Sequence, residues 1–164
     1  MKKSLVLAFA ILFAGVFGVF AQTNGNDAYN EITSIQRIML QASEYVMVAE
    51  NELELEIVHL QFDIIIGNDW KYVYRTLSKG WTYIAYAEGE TEMVRDMDLR
   101  LMKQDPVTGE WTEISIDTSE DFGGVCAVTV TETAQYAIGM KVAAYESGFT
   151  GCHYFLFLAH ARPE

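Results

Sequence analysis

Basic residues, proline and cysteine are all scarce in this sequence of 164 residues, which has 11 Lys and Arg against 23 Asp and Glu, 2 Pro and 2 Cys. The shortage of basic side chains leaves a formal charge of −12. That excludes ordinary nucleic-acid binding, whose phosphates require a basic patch or stripe, and it disfavours docking on an anionic lipid surface. So little proline beside 13% aromatic residues excludes a disordered chain, because such chains lack the apolar surface needed to offset chain entropy. The length suits one domain with a modest core. The glycine motifs of nucleotide binding, G-x-G-x-x-G and G-x-x-x-x-G-K-[ST], do not occur. Nor does the G-x-S-x-G elbow of serine hydrolases: Glu146-Ser147-Gly148 lacks its first glycine and reads as a turn.

What is present begins with a compartment signal. Lys2 and Lys3 precede an apolar run from Leu5 to Phe20, and Val19-Phe20-Ala21 ends it. A charged start, a short apolar segment and small residues at the cleavage point predict a secretory signal peptide over residues 1–21. The run is about 16 residues, short of the roughly 20 needed to span a bilayer. The expectation is an exported protein, periplasmic or extracellular, with no membrane insertion after cleavage. Loss of the two lysines takes the formal charge from −12 to −14.

Export changes how the cysteines read, since an oxidising compartment lets disulfides persist. Cys126 and Cys152 each share the alternation phase of the apolar residues that follow them, so both are expected on a core face. If their strands are neighbours they pair, and closing that loop contributes on the order of 3 kcal/mol in the chain-entropy model. The alternative is two buried thiols acting as small hydrophobes.

Residues 22–27 are polar and aperiodic and read as a flexible lead-in. Over residues 28–50, Ile32, Ile35, Ile38, Met39, Ala42, Tyr45 and Val46 recur at helical spacing, which predicts one amphipathic helix lying on its own domain. From residue 51 to 164 the period is two. Leu53, Leu55 and Ile57 alternate in one phase and Val58, Leu60, Phe62, Ile64 and Ile66 in the other, so a bulge or break is expected near Ile57 and Val58. Trp70–Leu77 and Trp81–Ala87 read as hairpin partners across Ser78-Lys79-Gly80, and Glu88–Arg95 as a charged loop. Further strands follow around Leu99, Trp111, Val125, Ile138 and Leu156. About eight short strands after a single helix predict an all-β antiparallel sandwich or jelly roll.

Candidate sites are few. His59, His153 and His160 lack ligand spacing and read as structural. Asp96, Asp98, Asp117, Glu120 and Asp121 could converge on calcium, which takes six to eight oxygen ligands; the alternative for Asp117-Thr118-Ser119-Glu120-Asp121 is turn chemistry, in which these side chains cap local amides. Among the aromatics, Tyr72 and Tyr74 with Trp81 and Tyr83 form a ligand platform if their strands lie side by side facing outward. Sandwich cores also use many aromatics.

Several runs together resemble the bacterial pre-peptidase C-terminal domain family over about residues 69–158. They are Trp70-Lys71-Tyr72-Val73-Tyr74, Lys79-Gly80-Trp81-Thr82-Tyr83, Asp96-Met97-Asp98-Leu99-Arg100-Leu101, Asp117-Thr118-Ser119-Glu120-Asp121 and Ala134-Gln135-Tyr136-Ala137-Ile138. The resemblance implies a jelly-roll-like sandwich with an accessory role, and relatives in secreted collagenases imply calcium. The residues before Asp69 are too few for a peptidase. The expectation is an exported binding or accessory module without catalytic residues. It takes an unknown protein or glycan partner, with calcium as the one candidate cofactor. The competing classes are a calcium-dependent or carbohydrate-binding protein and an envelope structural protein.

Overall fold

The structure, a computed structural model, describes residues 33–161. The signal peptide, the lead-in and the first residues of the expected helix lie outside the described residues. The helix, α1, spans Ser34–Asn51. It starts there because Thr33 is extended and closes a capping box: its side chain accepts the Gln36 N–H, and the Gln36 side chain accepts the Thr33 N–H at 2.8 Å. Eight strands follow: β1 Leu55–Ile66, β2 Lys71–Leu77, β3 Thr82–Gly89, β4 Val94–Gln104, β5 Trp111–Asp117, β6 Gly123–Thr129, β7 Ala134–Tyr145 and β8 Gly151–Ala161.

The strands form two four-stranded antiparallel sheets, β1-β8-β3-β6 and β2-β7-β4-β5. Every connection except β4–β5 passes from one sheet to the other, which is the eight-stranded jelly-roll order. The core between the sheets holds Met97, Leu99 and Leu101 of β4, Tyr136, Ile138 and Met140 of β7, and Tyr154, Leu156 and Leu158 of β8, all buried. Each large apolar side chain so buried contributes about 1.5–3 kcal/mol. The bulge in β1 falls where the phase of the sequence changes, between Ile57 and His59.

A second core lies outside the first sheet. Ile38, Ala42, Tyr45 and Ala49 of α1 cover Ile84, Tyr86, Phe155, Phe157 and Ala159. The helix therefore roofs the β1-β8-β3-β6 sheet, here called the roofed sheet; the other is the open sheet. The helical stripe is narrower than the sequence suggests. Ile35 and Met39 are exposed, because the contact line runs through Ile38, Ala42, Tyr45 and Ala49.

Three expectations are corrected. β2 and β3 are not hairpin partners: β2 pairs with β7, while β3 pairs with β6 and β8. The Ser78-Lys79-Gly80 link is held instead by the β6–β7 connection, with Lys79 N–H donating to Thr133 Oγ1 at 2.9 Å and Gly80 N–H to the Val130 carbonyl at 2.7 Å. Gly80 sits at φ 91°, a conformation that suits glycine. The charged loop is also shorter than expected, since β3 continues through Glu88 to Gly89.

The third correction concerns the cysteines. Both point into the core as their phase indicates, but they are free thiols. β3 stands between β6 and β8, and Ala85 faces Cys126 on one side and Leu158 on the other. Cys152 therefore lies six residues further along β8, roughly 20 Å at strand rise, beyond the reach of a disulfide. Burial pushes both thiols up to about 12. Among the described residues, no helix is long and apolar enough to cross a membrane.

Candidate functional site

Among the described residues, no helix lies over the outward face of the open sheet. Its strand alternation turns Val73 and Leu77 inward and Tyr72 and Tyr74 outward. The registers then set side chains in rows. Tyr72 lies beside Gly139, which lies beside Arg100, then Ile116. Tyr74 lies beside Ala137 and then Met102. Trp70, just before β2, and Trp111, at the start of β5, close the two ends of an aromatic line. Ring centroids are 6.4 Å apart for Trp70–Tyr72, 6.3 Å for Tyr72–Tyr74 and 5.5 Å for Tyr74–Trp111.

Small residues in the middle strand make this line possible. A Cβ on Gly139 would stand 2.6 Å from Tyr72 Cε1 and 3.1 Å from Arg100 Cγ, so the Tyr72 ring and the Arg100 stem occupy the space a side chain would take. The Arg100 guanidinium lies 4.0 Å from the Trp70 ring centroid and 5.2 Å from that of Tyr72. Cation–π attraction holds it there. Its Nε is buried with no hydrogen-bond partner among the described residues, and its Nη1 is 3.7 Å from Glu113. Lys141 completes the polar set, 2.7 Å from the buried Asp98 carboxylate and 5.1 Å from the Trp70 ring. Arg100 and Lys141 occupy the Trp70 ring, so the rings of Tyr74 and Trp111 are the ones left for stacking, and with the paired charges beside them they suit an amphipathic ligand.

The expected platform is thus split. Tyr72 and Tyr74 belong to the open face, whereas Trp81 and Tyr83 come with the other sheet: Tyr83 is buried in the core, and both rings meet His160 edge-on, at 5.7 Å and 4.2 Å for Tyr83 and Trp81. Trp70, Trp111, Arg100 and Lys141 take their place. For Arg100 the signal was the parity of β4, where it alternates with Leu99 and Leu101.

The acidic residues are neighbours without forming a cage. Burial first, then Asp98 and Glu120, pushes Asp96 up. Burial first, then Asp117 and Asp96, does the same for Asp121. Yet Asp98 is engaged by Lys141. Asp117 accepts from Ser119 N–H at 3.1 Å, Ser119 Oγ at 2.6 Å and Val125 N–H at 2.9 Å, while Asp121 accepts from Gly123 N–H at 3.1 Å. Among the described residues, no group of three or more His, Cys, Asp or Glu side chains is placed to hold a metal ion.

Sequence reasoning missed a polar cluster beneath α1. Glu88 is buried and accepts from Gln41 Nε2 at 2.7 Å and from the Tyr86 hydroxyl; the Tyr45 hydroxyl also bonds it. Burial pushes its carboxyl up to about 7, against the lowering effect of those donors. Nearby Glu90 accepts from His153 N–H at 3.1 Å and pairs with Arg37 at 3.8 Å. Ser34 Oγ lies 2.5 Å from His153 Nδ1, and Glu90 Oε2 lies 3.5 Å from the same nitrogen. A serine, a histidine and an acid are therefore together, but not as a catalytic relay. That relay needs the nucleophile on one ring nitrogen and the acid on the other; here both share Nδ1, and the group clamps the start of α1 to β8.

Fold and site together define a jelly-roll β-sandwich with one roofed sheet and one open aromatic face. Neither a family model nor a curated protein matches the sequence. Solved structures that resemble it include the Aeromonas hydrophila PliG, a periplasmic inhibitor of g-type lysozyme, at 11% identity and TM-score 0.44, covering 63% of this chain and 85% of that one. Another is the Yersinia pseudotuberculosis-derived mitogen, at 16% identity and TM-score 0.47, covering 66% and 88%. A third is a chitosan-binding module from a Paenibacillus chitosanase/glucanase, at 18% identity and TM-score 0.35, covering 62% and 76%. At these identities and scores they assign this chain no family and no partner.

Proposed function

We propose that this chain is an exported, non-catalytic binding module whose open sheet face holds a glycan. The observation that carries the reading is the uncovered line Trp70–Tyr72–Tyr74–Trp111, with Tyr74 49% exposed and Arg100 stacked on its first two rings. Tyr74 is exposed and Trp70, Tyr72 and Trp111 are half-buried beside it, and aromatic surface left open in this way marks a binding site. Sugar rings offer apolar C–H faces to such aromatics and hydroxyls to the Arg100, Lys141, Asp98 and Glu113 groups beside them. Export rests on the Lys2-Lys3 start, the apolar run and Val19-Phe20-Ala21. The accessory role implied by the resemblance to pre-peptidase C-terminal domains belongs to the same reading.

The test is affinity electrophoresis or calorimetry of the chain from Gln22 to Glu164 against a panel of soluble polysaccharides and cell-wall fragments. Tyr74→Ala and Trp111→Ala should each weaken binding about 10-fold or more, the loss expected of a central aromatic anchor, with the thermal midpoint unchanged. A chain that binds none of the panel, or binding indifferent to both substitutions, overturns the reading.

A further inference from the structure

The helix holds the roofed sheet by a light apolar seam and one polar flank. Of the buried residues on its contact line, Ile38, Ala42, Tyr45 and Ala49, two are alanines, and burial stabilises in proportion to apolar area. On the polar flank Ser34 meets His153, Arg37 meets Glu90 and Glu92, and Gln41 meets Glu88. Residues 52–54 alone join the helix to β1, and Glu54 sits there at φ 53°, a conformation that side-chain-bearing residues seldom adopt. Beneath the helix lies a second aromatic set. Ring centroids are 5.8 Å apart for Tyr86–Phe155, 5.5 Å for Tyr86–Phe157 and 6.4 Å for Phe155–Phe157, the same spacing as the line on the open sheet.

Glu88 stands where the polar flank meets these rings. It is 1% exposed, and its contacts are the Gln41 amide and the hydroxyls of Tyr45 and Tyr86. Among the described residues no cation forms an ion pair with it: Arg37 and His153 both turn to Glu90. Asp121, ahead of β6, adds repulsion, and its register partners Phe155 on β8 and Gly123 on β6 carry no charge. A carboxyl sealed in this way accepts a proton far more readily than it keeps a charge.

We propose that α1 is a lid: when Glu88 ionises, the helix swings away about residues 52–54 and bares Tyr86, Phe155 and Phe157 while the core between the sheets stays folded. The carboxylate gains water only by lifting the helix, and what resists is a seam that rests on one isoleucine, one tyrosine and two alanines. Closing returns the proton to Glu88. The inference is independent of the glycan reading, which concerns the other sheet.

Amide hydrogen exchange of the chain from Gln22 to Glu164, corrected for the intrinsic effect of pH, tests this. In the wild type the α1 amides should lose protection about 50-fold between about pH 5 and about pH 8, the change that linkage gives for a carboxyl raised from 4.5 to about 7. At both pH values they should exchange about 10-fold or more faster than those of β4 and β7, because the lid opens without the core. Glu88→Gln cannot ionise, so at about pH 8 it should keep the α1 protection that the wild type has at about pH 5. Wild-type α1 protection that does not fall with pH overturns the proposal. So do α1 amides as slow as those of β4 and β7, which would mean that the helix leaves only with the whole fold, or a fall that Glu88→Gln retains.

Discussion

The two sheets turn similar side chains outward and use them differently. On the roofed sheet Tyr86, Phe155 and Phe157 point away from the central core and are nevertheless buried, because α1 lies on them. On the open sheet Tyr72, Tyr74 and Trp111 point outward and remain at least partly accessible. Alternation is the same in both; the helix alone decides which outward aromatics are core and which are surface. It also decides the fate of charge. Glu88 shares a strand face with Ile84 and Tyr86 and is sealed under α1, whereas Asp98 on the open face keeps a lysine beside it.

The largest effect that can break this comparison is a matched pair of truncations. Phe157→Ala should cost about 3–5 kcal/mol by leaving a cavity between helix and sheet. Tyr74→Ala, an outward aromatic on the other sheet, should stay within about 0.5 kcal/mol, as surface substitutions do. Urea unfolding measures both. Equal losses would mean that the two faces do not differ as described.

A second test uses Glu88, whose carboxyl is raised from 4.5 to about 7 by burial. The folded state favours its protonated form, so its contribution to stability is fully present below about pH 4.5 and is lost as pH rises through about 7, at most about 3 kcal/mol. Asp96 and Asp121 are also raised, by burial first, and add a slope of the same sign. Wild type should therefore be more stable at about pH 5 than at about pH 8. Glu88→Gln keeps an acceptor for Gln41 and cannot ionise, so it should flatten the slope and raise the thermal midpoint chiefly at the higher pH. An unchanged slope would show that Glu88 does not report the seal made by the helix.

The fold was legible where a local period was enough. Eight strands, the bulge at Ile57–His59 and the inward phase of both cysteines follow from alternation, a property of neighbouring residues. What alternation lacks is the identity of the sheet to which a strand belongs. Joining β2 to β3 through Ser78-Lys79-Gly80 put Trp81 and Tyr83 beside Tyr72 and Tyr74, and the same blindness put Cys126 beside Cys152 across an unseen β3. Glu88 was hidden for a related reason. An acid at the end of an apolar strand reads as the start of a loop, unless its two-residue spacing from Tyr86 is taken to mean a shared buried face.

The smallest expected effect concerns the acidic loop, where the turn and calcium readings part. Both carboxylate oxygens of Asp117 already accept hydrogen bonds, from Ser119 and from Val125 N–H. Asp117→Ala should therefore cost about 1–2 kcal/mol by stranding those donors, and a capping role predicts the same cost in excess calcium as in chelator. Wild type should show the same thermal midpoint in both. A bound ion would instead raise the wild-type midpoint by mass action and make the Asp117→Ala loss larger in calcium than in chelator. Because the substitution is destabilising under either reading, its dependence on calcium, and not its size, is the quantity that separates an ion site from a turn.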